Sequence, residues 1–130
     1  MDQATPQFNP ADKTILVVED EPSGRNLLAA ALKRSGYSYV LCGDGQEAVE
    51  QFRQQKEQID LVLMDLNMPR MNGNEAFDAM IQLDPEVRVI IMTGFREADQ
   101  IQDLLQRGVR SILHKPFRLT ELADSIRDHL

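Results

Sequence analysis

The sequence predicts an α/β fold, a doubly wound parallel sheet of five strands with five helices. Two observations carry that reading. Short apolar runs alternate along the chain with segments whose apolar residues recur at helical spacing. The runs are also continuously apolar, without the polar-apolar alternation of one-sided strands, so helices are expected on both faces of the sheet. Right-handed crossovers between parallel strands then wind the chain into a layered sandwich.

Each element has its own signal. Residues 1–12 (MDQATPQFNPAD) carry two prolines and no period, and read as a tail or linker end before a folded domain at 13–130. Ile15-Leu16-Val17-Val18 is the first buried strand. Leu27, Leu28, Ala31 and Leu32 mark the first helix, with Gly36 as its stop. Tyr39-Val40-Leu41-Cys42 is the second strand. Asp44 and Glu47 have capping-box spacing, and Ala48, Val49 and Phe52 share a face of the helix behind them. Leu61-Val62-Leu63-Met64 is the third strand, followed by a helix near Asn74 to Leu83. The fourth strand is expected over Val87 to Met92. Ile101, Leu104 and Leu105 mark a helix stopped by Gly108. Ser111-Ile112-Leu113 is a short fifth strand. Leu119, Leu122, Ala123 and Ile126 mark the last helix.

Bulk properties narrow the function classes. The chain of 130 residues is the size of one domain, and its 42% hydrophobic and 27% charged residues are ordinary for a globular protein. A net charge of −7 argues against broad nonspecific nucleic-acid binding, which needs basic residues to neutralise phosphates. No apolar run approaches the roughly 20 residues of a bilayer span. A basic stretch followed by an apolar one is missing at the N-terminus, so no signal peptide is expected. The single cysteine, Cys42, cannot form an intrachain disulfide and agrees with a reducing compartment.

In doubly wound sheets the ligand site lies beyond the carboxyl ends of the strands. Here the first strand ends in Glu19-Asp20-Glu21, the third in Asp65, the fourth in Thr93-Gly94 and the fifth in His114-Lys115-Pro116. Any one of these reads more simply as a turn, a helix cap or a solvated side chain. Together they would bring carboxylates, a hydroxyl and an ammonium to one edge. Neighbouring carboxylates repel unless a cation intervenes. Mg²⁺ prefers oxygen donors and binds phosphate oxygens. Lys115 suits a phosphoryl oxygen, and a carboxylate such as Asp65 is a candidate nucleophile for an acyl phosphate.

The pieces ILVVEDEP (15–22), GDGQEAVE (43–50), DLVLMDLNMPRMNG (60–73), VIIMTG (89–94) and ILHKPF (112–117) resemble the receiver domains of bacterial response regulators. The resemblance covers about residues 13 to 130. It implies a flavodoxin-like sheet of order 2-1-3-4-5, with Asp65 as phosphoacceptor. It further implies that Asp20, Asp65 and the backbone carbonyl of Asn67 hold Mg²⁺, with Glu19 acting through water. Thr93 and Lys115 would contact the phosphoryl group, and the Lys115–Pro116 bond would be cis. Met68-Pro69 and Gly73 would shape the loop after Asp65. The implied phosphodonor is a phosphohistidine on a sensor histidine kinase or phosphotransfer protein, and phosphorylation would switch the surface of the fourth helix, fifth strand and fifth helix toward a downstream protein. Such a chain would be cytoplasmic, a monomer or weak dimer, without direct nucleic-acid contact.

Two positions depart from the family pattern. Ile112 stands where many receivers carry an aromatic residue, which predicts a muted or different change on this face. Phe95 lies two residues beyond Thr93, where it would either shield an acyl phosphate from water or pack on the fourth helix. Arg118 is a poor cap for the last helix, and His114 reads as a partly exposed strand residue. Rival readings are a pseudo-receiver that binds partners unphosphorylated, and a Mg²⁺ phosphohydrolase. The latter is disfavoured by the short loops. The end of the sequence at Leu130, just past the last helix, fits either a stand-alone receiver or the receiver of a hybrid kinase.

Overall fold

A computed structural model describes residues 9–68, 70–94 and 97–130. Its elements run β1 (Thr14–Val18), α1 (Pro22–Arg34), β2 (Ser38–Cys42), α2 (Gly45–Gln55), β3 (Leu61–Asp65), α3 (Gly73–Leu83), β4 (Val89–Thr93), α4 (Ala98–Gln106), β5 (Ser111–His114) and α5 (Leu119–Asp128). The strands form one sheet of order β2-β1-β3-β4-β5, every pair parallel. The five-strand, five-helix flavodoxin-like architecture is the one expected from the sequence.

The period of two splits each strand between two cores. Ile15, Val17, Leu61, Leu63, Ile90 and Met92 pack with Leu28 and Leu32 of α1 and Leu122 and Ile126 of α5. Leu16, Val18, Val62, Met64 and Ile91 face the other way, against Val49 and Phe52 of α2, Phe77 and Met80 of α3 and Leu104 of α4. Each such fully buried side chain contributes about 1.5–3 kcal/mol, which is why these strands read as continuously apolar.

Local chemistry sets the helix ends. Pro22 opens α1, where its missing N–H costs nothing. The Asp44 carboxylate accepts the Glu47 N–H at 2.8 Å to cap α2. Asn72 and Glu75 form a reciprocal capping box on α3. Gly36 (φ 91°) and Gly108 (φ 113°) adopt the left-handed backbone that ends α1 and α4.

Two boundaries differ from expectation. Val87 is buried but not in the sheet; its N–H goes to Asp84 O at 3.0 Å in the turn before β4, so burial rather than pairing makes it apolar. Pro10–Asp12, placed by sequence in the tail, form a 3-10 turn capped by Asn9. Among the described residues, no helix is long and apolar enough to cross a membrane.

The register positions the site. Val18 pairs with Cys42 and Met64, Asp65 with Met92, and Thr93 with His114, so the carboxyl ends of the strands finish level. Residues immediately after β1 and β5 therefore meet the last residues of β3 and β4.

Candidate functional site

Glu19, Asp20 and Asp65 converge beyond this edge, each offering a carboxylate oxygen within 4.8 Å of the others. Glu19 and Asp65 are buried, at 4% and 5% exposure, while Asp20 is exposed. Lys115 reaches in from beyond β5, its Nζ 2.7 Å from Asp65 Oδ2 and 3.3 Å from Glu19 Oε1. Thr93 is buried at the end of β4, and its carbonyl accepts the Lys115 N–H at 2.8 Å. The Lys115–Pro116 peptide bond is cis.

Backbone amides orient two of the acids. The Glu21 N–H donates to Glu19 Oε2 at 3.0 Å, and the Asn67 N–H to Asp65 Oδ1 at 3.0 Å. Burial pushes the Glu19 carboxyl above its ordinary range; the Asp65 charge adds to this, while the Glu21 N–H and Lys115 work against it. Burial disfavours the charged Lys115 as well, but its hydrogen bonds and charge contacts with Asp65 and Glu19 together outweigh that and raise its pKa.

Clustered carboxylates, two of them buried, form an all-oxygen donor set that suits a hard divalent cation. The same ammonium that now bridges two of them is placed to meet an anionic group attached to Asp65.

The loop between β3 and α3 is pinned at both ends. Gly73 N–H donates to Leu66 O at 2.9 Å, and a Cβ on Gly73 would lie 2.4 Å from the Asp65 carbonyl oxygen. Gly45 N–H donates to Met71 O at 3.1 Å, and a Cβ there would lie 2.1 Å from that oxygen. Arg70, at φ 64° in the left-handed region, pairs with the buried Asp44 and holds its carboxyl below the ordinary range.

The structure therefore brings together Glu19, Asp20, Asp65, Thr93 and Lys115. Asn67 is exposed beside them. Ile112 is half-buried against the core beneath α2, α3 and α4. Phe95 and Pro69 lie outside the described residues. His114 is half-buried on β5, its buried Nδ1 making no hydrogen bond among the described residues. Arg118 lacks a capping side chain, but its N–H donates to Glu121 Oε1 at 2.8 Å. Sequence reasoning missed Arg25, whose Nη1 donates to the Glu19 carbonyl at 2.8 Å, and the close backbone contact at Gly45. It expected Gly73 to shape this loop, without showing which backbone atom Gly73 approaches.

Comparisons with known proteins agree on one family. The response regulator receiver domain matches residues 15–127. Sporulation initiation phosphotransferase F of Bacillus subtilis is 34% identical over 92% of this chain and 94% of its own. The sensor histidine kinase RcsC of Salmonella typhi is 36% identical over 88% of this chain, which spans only 12% of that protein. A solved receiver domain of a sensor histidine kinase from Pseudomonas aeruginosa, with a magnesium ion coordinated in its active site cleft, superposes with a TM-score of 0.81 at 29% identity, covering 90% of this chain and 96% of that one.

Proposed function

The chain belongs to the response regulator receiver domain family, and from that premise we propose that Asp65 accepts a phosphoryl group from a phosphohistidine. The observation that carries the reading is the position of Asp65: a buried carboxylate inside a three-acid cluster, bonded to the one ammonium that reaches it among the described residues.

One Asp65 oxygen attacks phosphorus, the P–N bond to the donor imidazole breaks, and the imidazole leaves with a proton from solvent. Asp20, Asp65 and the Asn67 carbonyl would hold Mg²⁺, with Glu19 acting through water. When bound, Mg²⁺ neutralises charge on the carboxylates and on the transferring group. The Asn67 N–H fixes one Asp65 oxygen, leaving the carboxylate plane defined for attack. Lys115 exchanges its carboxylate partner for a phosphoryl oxygen, and the Thr93 hydroxyl donates to another. These exchanges bias the α4–β5–α5 surface toward an unidentified downstream protein.

The donor is a sensor histidine kinase or a phosphotransfer protein. A protein-borne phosphohistidine must dock to reach a buried carboxylate. Leu27 and Leu119 are exposed, at 57% and 44%, and line one apolar depression with Glu19 and Lys115. That rim is the docking edge we assign to the donor.

Incubation with acetyl phosphate and Mg²⁺, followed by intact mass, tests the chemistry. A gain of one phosphoryl group is expected, lost without Mg²⁺ and lost in Asp65→Asn. No gain from either acetyl phosphate or a phosphorylated phosphotransfer protein would favour a pseudo-receiver.

A further inference from the structure

We infer that Arg25 is a positioning residue for the metal site, acting through the backbone that carries Asp20; this rests on the Mg²⁺ reading above. The three carboxylates are not equally held. Glu19 is fixed by the Glu21 N–H (3.0 Å) and Lys115 (3.3 Å), and Asp65 by the Asn67 N–H (3.0 Å) and Lys115 (2.7 Å). The exposed Asp20 side chain makes no hydrogen bond or ion pair among the described residues. With no side-chain partner among the described residues, its direction follows from the backbone that carries it.

That backbone is clamped from outside the pocket. Arg25, one turn into α1, donates Nη1 to the Glu19 carbonyl at 2.8 Å and lies 3.5 Å from the Asp20 carbonyl. The Glu19 N–H is tied on the other side to Cys42 O at 3.0 Å. The guanidinium sits over Gly43, where a Cβ would be 3.3 Å from Nη1, so the start of the β2–α2 connection leaves room for it. Arg25 makes no ion pair among the described residues. Its Nη1 donates to backbone carbonyl oxygens and to none of the three carboxylates. A guanidinium bonded to a carbonyl gives a stronger, more directional contact than a neutral donor would.

Two roles for Arg25 predict opposite signs. If it were only a nearby positive charge, neutralising it would remove repulsion and tighten Mg²⁺ binding. If it fixes the Glu19–Asp20 backbone, neutralising it lets Asp20 drift and weakens binding, as loss of an outer support of a metal ligand does.

Titration calorimetry with Mg²⁺ on the parent, R25M, R25Q and R25K separates them, with thermal melting of each metal-free protein alongside. R25M and R25Q are expected to bind Mg²⁺ about tenfold more weakly, with metal-free melting close to the parent. R25K, which keeps the charge and a donating nitrogen but not the planar fork, is expected to recover part of the affinity. R25Q carries the comparison if R25M does not fold. Unchanged or tighter Mg²⁺ binding in the neutral variants overturns the proposal. A parent that binds no Mg²⁺ overturns the metal reading itself, and this inference with it.

Discussion

Lys115 and Asp65 form a 2.7 Å ion pair, and the same ammonium lies 3.3 Å from Glu19, so one cation compensates two buried carboxylates. Lys115→Met removes that compensation. The metal-free variant is expected to lose roughly 1–2 kcal/mol, less than a fully buried pair because Lys115 remains partly open to solvent. Mg²⁺ should then raise its melting temperature more than it raises the parent's, since a cation now replaces the missing ammonium. Phosphorylation by acetyl phosphate should be slower, because the ammonium proposed to meet a phosphoryl oxygen is gone. A smaller Mg²⁺-induced shift in the variant than in the parent would contradict this balance.

Glu19 makes the stability of the metal-free protein depend on pH. Its folded-state pKa is raised, mainly by burial. The native state therefore holds that proton more tightly than the unfolded chain does. The resulting stability is present below the ordinary carboxylate pKa and lost as pH rises through the raised value. Glu19→Gln should match the parent in acid and exceed it in stability at neutral pH, while binding Mg²⁺ more weakly. Lys115, whose pKa is also raised, contributes below the ordinary lysine value and loses that contribution only in alkali, outside this window. Urea unfolding from mildly acidic to neutral pH measures the difference; a constant gap between Glu19→Gln and parent would remove Glu19 as its source.

The sheet, its helices and the polar strand ends are legible in the sequence because each leaves a local mark. A strand buried on both faces must be apolar throughout, and its first polar residue announces where the site begins. Val87 misled because burial outside the sheet leaves the same apolar mark as burial within it. Arg25 and Gly45 left no comparable mark, and Gly73 marked a loop without showing what it approaches. They act by contacts across the fold, and a helical arginine or an N-terminal glycine looks ordinary until its distant partner is placed.

Gly73 is such a case. A Cβ there would lie 2.4 Å from the Asp65 carbonyl oxygen, a backbone atom that cannot swing aside. Gly73→Ala should cost about 1–3 kcal/mol by overpacking, and slow phosphorylation by displacing Asp65. Gly24→Ala is the matched control, because its Cβ would meet Glu19 at an ordinary 3.5 Å within a helix. It should gain up to about 1 kcal/mol from helix propensity. Equal denaturation midpoints for the two variants would show that the close approach is relieved cheaply.

The rim formed by Leu27 and Leu119 separates docking from chemistry. Both side chains are already exposed, so Leu27→Ser and Leu119→Ser should leave stability and acetyl phosphate phosphorylation nearly unchanged. Transfer from a phosphorylated histidine phosphotransfer protein should slow severalfold, the loss typical of an apolar anchor at an interface. Equal slowing with both donors would place the defect in the pocket instead.

Ile112 bears on how far a signal travels from the pocket. It sits on β5 in register with Ile91, half-buried against the core that includes Leu104 of α4. A β-branched side chain is stiff at χ1, and a packed core resists small displacements until it can repack. Isoleucine is smaller than the aromatic residue that many receivers carry here, and presents less side chain to α4. Amide spectra of the phosphorylated and unphosphorylated protein should differ around Asp65, Thr93 and Lys115 and fade toward Ile112 and α4. Ile112→Tyr should extend the changes into α4. Large shifts across Ile112 and α4 in the parent would mean that the switch reaches this face without an aromatic carrier.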